Sequence, residues 1–319
     1  MQLSVTAARD TIALMESTEA VLDTQRHNGV ATVTIRHPAK RNAMTPAMWR
    51  QLPVLLAALA SDTSVRALVL TGANGTFCAG ADISTLRAHL GHGGTDEASG
   101  THGAGGEYEP DGTQGSGAVN DPRTENDPGA VNGTPPTATT APARDAQELA
   151  VAAEDALAAF PKPTLAVVRG HCVGGGCQLA AACDLRFAAE GALFGVTPAK
   201  LGIVYPATST RRLVRLVGPA TAKYLLFSGE LIGTGRALLC GLADEVHPDG
   251  DLDARVAAFT ELLATRSQLT QAAAKEFADG PVDAARVAYW RRESAAGDEL
   301  AEGVGAFLER RAPRFGWSL

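Results

Sequence analysis

Three consecutive glycines, Gly174, Gly175 and Gly176, lie in the stretch Gly170 to Asp184, GHCVGGGCQLAAACD, just ahead of an apolar run that reads as a buried helix. The chemistry open to such a turn is anion binding. Backbone without side chains lets a ligand approach closely, and the first N–H groups of a helix lack intrahelical partners and carry the positive end of its dipole. A tight strand-to-helix turn packed on a neighbour has the same composition. A second stretch favours the first reading. Thr71 to Ile83, TGANGTFCAGADI, follows the apolar run Ala67 to Leu70 and brings Ala79, Gly80 and Ala81 to an expected helix start at Asp82. Two such turns can place two N–H donors on one oxygen.

The elements that must position these turns are strands alternating with helices. Val30 to Ile35 alternates Ala31, Val33 and Ile35 with Thr32 and Thr34, as a strand with one covered face does. Thr45 before Pro46 is a helix start, with Thr as cap and Pro at the first helical position, and Met48, Leu52, Leu55, Leu56 and Leu59 carry an apolar stripe to about Ala60. Further strands are expected at Arg66 to Thr71, Thr164 to Arg169 and Leu185 to Ala189, which together predict an α/β fold. The C-terminal region reads as helical, over Thr208 to Val217, Pro219 to Phe227, Asp251 to Thr265, Gln268 to Phe277 and Asp283 to Arg311.

Between Ala88 and Gln147 the composition changes to Gly, Thr, Pro, Asn, Asp and Ala, with Tyr108 the only aromatic residue. Such a stretch buries too little apolar surface to offset its ordering entropy, so it reads as a disordered insertion, a solvated linker more than a lid. Ordered structure is expected to resume near Ala146, where Leu149, Ala152, Ala153, Ala156 and Leu157 recur at helical spacing.

Composition narrows the function classes. The chain has 319 residues, 45% of them hydrophobic, and a formal net charge of −7 with no basic run, which argues against a nucleic-acid partner. No apolar stretch is long enough to cross a bilayer, and Asp10 and Glu16 stand where a targeting peptide avoids acids, so a cytoplasmic location is expected. The five cysteines, odd in number and without a CxxC spacing, read as buried thiols and not as disulfides or metal ligands. His171, just after an expected strand end, is a candidate base against the simpler reading of a structural histidine, and Cys177 beside the glycine turn reads as a core thiol, since no His or Asp neighbour is evident to activate it.

Taken with HPAKRNAM (His37 to Met44), LFGVTPAKLGI (Leu193 to Ile203) and EGVGAFLERRAPRF (Glu302 to Phe315), the order of these segments resembles the crotonase family, also called the enoyl-CoA hydratase/isomerase family. The resemblance implies a ββα spiral core over 26–250, interrupted by the insertion 88–147, after an N-terminal extension 1–25 and before a C-terminal helical trimerisation region 251–319. It also implies an acyl-CoA substrate, coenzyme A being part of that substrate with no separate cofactor, and a homotrimer or dimer of trimers. Matched residue by residue, the oxyanion-hole donors are the N–H groups of Ala81 and Gly175. Lys40, Arg41, Ala43, Ala79, Asp82 and Ile83 are implied coenzyme A contacts, with Lys40 and Arg41 readable equally as ordinary surface charge, and Phe307 and Arg310 are implied to approach the coenzyme A of a neighbouring site.

The sequence departs from the family at the two positions where its hydratases carry glutamates, which here are Gln178 and Pro198. An amide is no base at neutral pH and proline has no proton to exchange. The segment Thr197 to Tyr205, TPAKLGIVY, resembles the matching part of bacterial methylmalonyl-CoA decarboxylase and assigns Tyr205 to the acyl pocket, against the simpler reading of a packed tyrosine. The leading expectation is therefore a decarboxylase of a malonyl-type acyl-CoA. Loss of carbon dioxide yields the enolate directly, the Gln178 amide can donate to the substrate carboxylate, and Tyr205 can donate a second bond or deliver a proton. The alternatives are an enoyl-CoA hydratase or isomerase with atypical catalytic residues, and a non-catalytic acyl-CoA-binding pseudoenzyme.

Overall fold

A computed structural model describes residues 19–84 and 141–319, with side chains from 146 onward in the second stretch. Most of the expected insertion and of the N-terminal extension falls outside these residues. The chain opens with an antiparallel pair, β1 (Val21–His27) and β2 (Val30–Arg36). Alternation in the sequence starts the core at the second of these strands; β1 already belongs to the sheet, and its Leu22 is buried. In β2 the alternation holds, with Ala31, Val33 and Ile35 fully buried. Helix α1 (Pro46–Ala60) comes next, its Thr45 Oγ1 accepting from the Met48 N–H at 3.2 Å, and it buries Met48, Trp49, Leu52, Leu56 and Leu59.

Strand β3 (Ala67–Gly72) leads out of the first described stretch, and helix α2 (Ala141–Ala158) opens the second. The helix is already under way inside the segment assigned to the insertion, and the expected stripe faces the core at Leu149, Ala153, Ala156 and Leu157. Ala150, Ala153, Glu154 and Leu157 are buried while Ala152 is exposed. Then come β4 (Thr164–Val168), β5 (His171–Val173), α3 (Gly175–Ala182), β6 (Leu185–Ala189) and β7 (Leu193–Gly195). Every residue of β4 is buried, as expected of a strand covered on both faces of a parallel sheet.

Helix α4 (Ala207–Ser228) bends where Gly218 takes φ 74°, which separates the two helices expected there. Strand β8 (Ile232–Gly233), α5 (Thr234–Cys240) and β9 (Glu245–His247) complete the sheets. The large sheet runs β1-β2-β3-β4-β6-β9, parallel after its first pair, and the small one runs β5-β7-β8. Two successive turns of chain, β4 then β5 and β6 then β7, thus give one strand to each sheet. This is the ββα spiral, and the fold is the expected crotonase-like α/β class.

The main core lies on one side of the large sheet, beneath α1, α2 and α3. Helix α6 (Asp249–Ala264) covers the other side, packing Leu252, Val256 and Phe259 on Val69, Leu165, Val167 and Phe187. The C-terminal stretch expected from Asp283 to Arg311 is divided into α8 (Ala284–Ala296) and α9 (Glu299–Glu309), after α7 (Gln268–Asp279), because Gly297 interrupts it in extended conformation. Among the described residues no helix is long and apolar enough to cross a membrane.

Candidate active site

Both glycine-rich turns reach the same place, the ends of strands β3 and β5. Cys78 and Cys172 form an isolated parallel bridge, in which Cys78 N–H donates to His171 O at 2.8 Å and Val173 N–H donates to Cys78 O at 3.0 Å. Three residues on, Ala81 bridges Met44. Met44 N–H donates to Gly80 O at 2.8 Å and Asp82 N–H donates to Met44 O at 2.9 Å. In a parallel bridge the flanking residues make the bonds, so the N–H of Ala81 itself points to the other side. That side holds Gly175.

Helix α3 starts from Gly174, whose φ of 54° with ψ −116° suits a residue without Cβ. Gly174 N–H donates to Gly195 O and Gly174 O accepts from Gln178 N–H, which leaves the Gly175 N–H at the open first turn. A Cβ on Gly175 would stand 3.5 Å from Ala81 N and 2.9 Å from Trp49 Cζ2; one on Gly176 would stand 2.3 Å from Cys78 O. The glycines are therefore needed for close approach, one to leave the donor pair clear and the other to seat the helix on Cys78. Among the described residues neither the Ala81 nor the Gly175 N–H donates to a backbone carbonyl, and both residues are reachable from outside. Two N–H donors without a backbone acceptor thus lie side by side, an arrangement chemically able to hold a developing oxyanion.

The residues implied for coenzyme A contact gather beside this pair. Lys40 Nζ donates to both carboxylate oxygens of Asp82 at 2.8 Å and also reaches Ser84 Oγ. Burial raises the Asp82 pKa, but hydrogen bonds from Lys40 and Ser84 outweigh it and hold the carboxyl below its usual range. The Asp82 side chain also accepts from Ser84 N–H at 3.1 Å, capping the helical turn that begins there, so the first helical residue is Ser84 and not Asp82. Arg41 O accepts from Ala79 N–H, Ala43 O takes a bond from the His37 ring, and Ile83 is exposed. Asn42, which sequence reasoning passed over, locks this loop. It is buried, and its side chain accepts from His37 N–H and donates to Ala73 O and Thr76 O. Phe307 and Arg310 lie elsewhere, exposed at the end of α9.

Gln178 stands one turn after Gly175 on the same face of α3. Its Nε2 donates to Glu154 Oε2 at 2.6 Å and to Ser209 Oγ at 3.1 Å. The Ser209 hydroxyl donates in turn to Glu154, and Arg212 closes the group with an ion pair to Glu154 and one to Asp155. A carboxylate accepts only, so the amide nitrogen and not its oxygen must face Glu154. Both amide hydrogens are thus committed inside the protein. The donor role expected for Gln178 toward a substrate carboxylate is not open to it; what remains is its acceptor oxygen, Oε1.

Glu154 is completely buried and was missed in the sequence. Its signal was its position, four residues after Ala150 and three before Leu157, on the inward face of α2. Tyr205 packs half-buried against the core beside these groups. Burial first, then nearby Cys177 and Glu154, pushes its phenol well above the ordinary value, so the hydroxyl stays protonated and a phenolate there is disfavoured. Pro198 sits buried in a short turn, Pro198–Lys200, with no polar side chain to offer. Cys78, Cys172, Cys177 and Cys183 are buried and unpaired, Cys240 is half-buried, and burial raises Cys78 and Cys183 to about 12. The buried ones are core thiols.

Comparison with known proteins points the same way as the fold. The sequence profile described as enoyl-CoA hydratase/isomerase matches residues 25–99 and 137–317, breaking off within the compositionally distinct segment. The 2,3-dehydroadipyl-CoA hydratase of Escherichia coli is 31% identical over 304 residues, covering 91% of this chain and 96% of the relative. The (E)-benzylidenesuccinyl-CoA hydratase of Thauera aromatica is 28% identical over 301 residues, covering 90% and 96%. A crystal structure of an enoyl-CoA hydratase/isomerase family member superposes with a TM-score of 0.73 at 32% identity, covering 94% of this chain and 98% of that one.

Proposed function

The chain belongs to the enoyl-CoA hydratase/isomerase family, and from that membership we propose that it hydrates or isomerises an enoyl-CoA thioester with atypical catalytic residues. The observation that carries this reading is the pair of unspent N–H groups at Ala81 and Gly175. As water bonds to the β-carbon, the electron pair of the double bond moves onto the thioester oxygen, and two preorganised donors hold that charge. Gln178 Oε1 is suited to accept a hydrogen bond from the attacking water. The Tyr205 hydroxyl is suited to act in a concerted relay, passing its proton to the α-carbon as it takes up the one the water loses, so that no buried phenolate forms. Hydration consumes no net proton, so such a relay needs no carboxylate base.

The E. coli and T. aromatica relatives are hydratases of CoA thioesters, which supports water addition over loss of carbon dioxide. Decarboxylation of a malonyl-type thioester has less support. It needs a donor for the substrate carboxylate, and both Gln178 amide hydrogens are engaged with Glu154 and Ser209. Coenzyme A enters as part of the substrate, and a homotrimer or pair of trimers goes with this reading. The exposed Leu300, Val304, Phe307 and Leu308 of α9 would be covered by a neighbouring copy, with Phe307 and Arg310 reaching its coenzyme A.

The test is to incubate the purified chain with crotonyl-CoA, longer enoyl-CoAs, malonyl-CoA and methylmalonyl-CoA and to track the thioesters by mass spectrometry. Addition of one water to an enoyl-CoA, or a shifted double bond, is the expected result. Carbon dioxide release from a malonyl thioester with every enoyl-CoA untouched would reverse the assignment. Thioesters that bind and stay intact across the panel would make the chain a pseudoenzyme.

A further inference from the structure

The buried group behind Gln178 has no part in the hydration chemistry itself. Burying a carboxylate such as Glu154 in full is costly unless it is paired and hydrogen-bonded, and here every bond is accounted for. Glu154 Oε2 accepts from Gln178 Nε2 at 2.6 Å and from the Ser209 hydroxyl, and its Oε1 accepts from Arg212. Ser209 Oγ, having given its hydrogen to Glu154, accepts the second amide hydrogen at 3.1 Å. Nothing in this circuit can be reversed without setting an oxygen against an oxygen.

A hydrophobic surround would have packed α2, α3 and α4 together more cheaply than a carboxylate, an amide, a hydroxyl and a guanidinium. The circuit does what a hydrophobic contact cannot do, which is to choose one of the two faces of an amide. We propose that Glu154 is a positioning residue. Held by Arg212 and Ser209, it fixes the Gln178 side chain so that only the carbonyl oxygen is presented to the acyl group, and the site thereby favours neutral acyl chains and water over acyl groups that carry a carboxylate near the thioester. The inference rests on the acyl-CoA reading above, and it extends that reading from reaction type to substrate class.

Binding measurements test it without turnover. Titration calorimetry with butyryl-CoA and malonyl-CoA, two short thioesters that differ in the carboxylate, gives a ratio of affinities. The native chain is expected to bind butyryl-CoA at least tenfold more tightly. In Glu154→Gln the neighbour can both donate and accept, the amide is free to turn, and the ratio is expected to fall about tenfold. In Gln178→Met, which keeps Glu154 and removes the carbonyl, it is expected to fall as far. The deciding variant is the double one. If Glu154 acts through Gln178, Glu154→Gln has no further effect on the ratio in the Gln178→Met background.

An equal change in both backgrounds would mean that Glu154 acts by its own charge, and the inference would be wrong. It would also be wrong if the native chain preferred malonyl-CoA. Should Glu154→Gln fail to fold, Glu154→Asp takes its place, since it keeps the charge and withdraws the oxygens by roughly one bond length, ~1.5 Å. Failure of both ligands to bind the folded native chain would overturn the acyl-CoA reading itself, and this inference with it.

Discussion

Replacing Gly175 with alanine is the sharpest perturbation of the donor pair, because the donors are backbone and cannot themselves be removed. Gly175 lies outside the left-handed region, so alanine can adopt its backbone conformation. The added Cβ would stand 2.9 Å from Trp49 Cζ2, 3.2 Å from Trp49 Cη2 and 3.5 Å from Ala81 N. Relaxed carbon–carbon contacts are about 3.5–4.0 Å, so the helix start or the indole must yield by roughly half an ångström. Trp49 is only 2% exposed and has little room to withdraw. Overpacking of this kind costs about 1–3 kcal/mol, less than the ~5–15 kcal/mol by which a typical domain is stable, so the variant should fold.

The larger effect falls on the oxygen. Both donors must lie about 2.7–3.1 Å from it, and a methyl group directed toward Ala81 N displaces it from at least one of them. Loss of one such donor costs ~2.7–4 kcal/mol of transition-state stabilisation, or roughly a hundredfold to a thousandfold in kcat. The measurement is steady-state turnover of the thioester identified by the substrate panel, with thermal unfolding and coenzyme A affinity recorded in parallel. The expected result is a folded variant that binds coenzyme A with little change and has lost at least two orders of magnitude in kcat. A folded Gly175→Ala chain retaining kcat within threefold of native would refute the oxyanion-hole assignment.

Ionisation supplies two further predictions. Arg311, in a two-pronged pair with Glu302 at 2.6 and 2.8 Å, and the Arg314 N–H hold the Glu302 carboxyl down at about 2, against 4.5 unperturbed. A depressed carboxyl stabilises the fold above its unfolded pKa and loses that effect as pH falls through the folded one. The stability difference between native chain and Glu302→Gln, measured by urea unfolding, should be constant above about pH 5 and vanish toward pH 2; a difference that ignores pH would refute the pairing. Because burial pushes Cys78, Cys172 and Cys183 well above the ordinary thiol range, an alkylating reagent applied to the folded chain should label half-buried Cys240 first. Peptide mapping that found Cys78 or Cys172 labelled as fast would show that the core opens.

Much of this protein was legible in one dimension because its governing interactions are local. The Thr45–Pro46 cap, the alternation in β2, the continuous apolar run of β4 and the glycine triplet before α3 each express a backbone requirement in adjacent residues. The limits of α8 and α9 were missed because the one interrupting glycine, Gly297, competes with helical periodicity on both sides. The same local rules, with the resemblance of spaced motifs to the crotonase family, reached Ala81 and Gly175 and noted the absence of glutamate at Gln178 and Pro198.

Tertiary structure alone decided what Gln178 is. Read in sequence, an amide both donates and accepts, and nothing in CQLAAACD says which end faces a substrate. The choice is made by Glu154, 24 residues earlier on α2, and by Ser209 and Arg212 on α4, which meet Gln178 only when three helices pack. A glutamate in an alanine-rich helix reads as solvent-facing, since burial of its charge is favourable only beside a guanidinium that the chain brings up from 58 residues away. Hydrogen-bond direction in a buried circuit depends on every partner at once, and for that reason the orientation of this amide belongs to the fold and not to any segment of the chain.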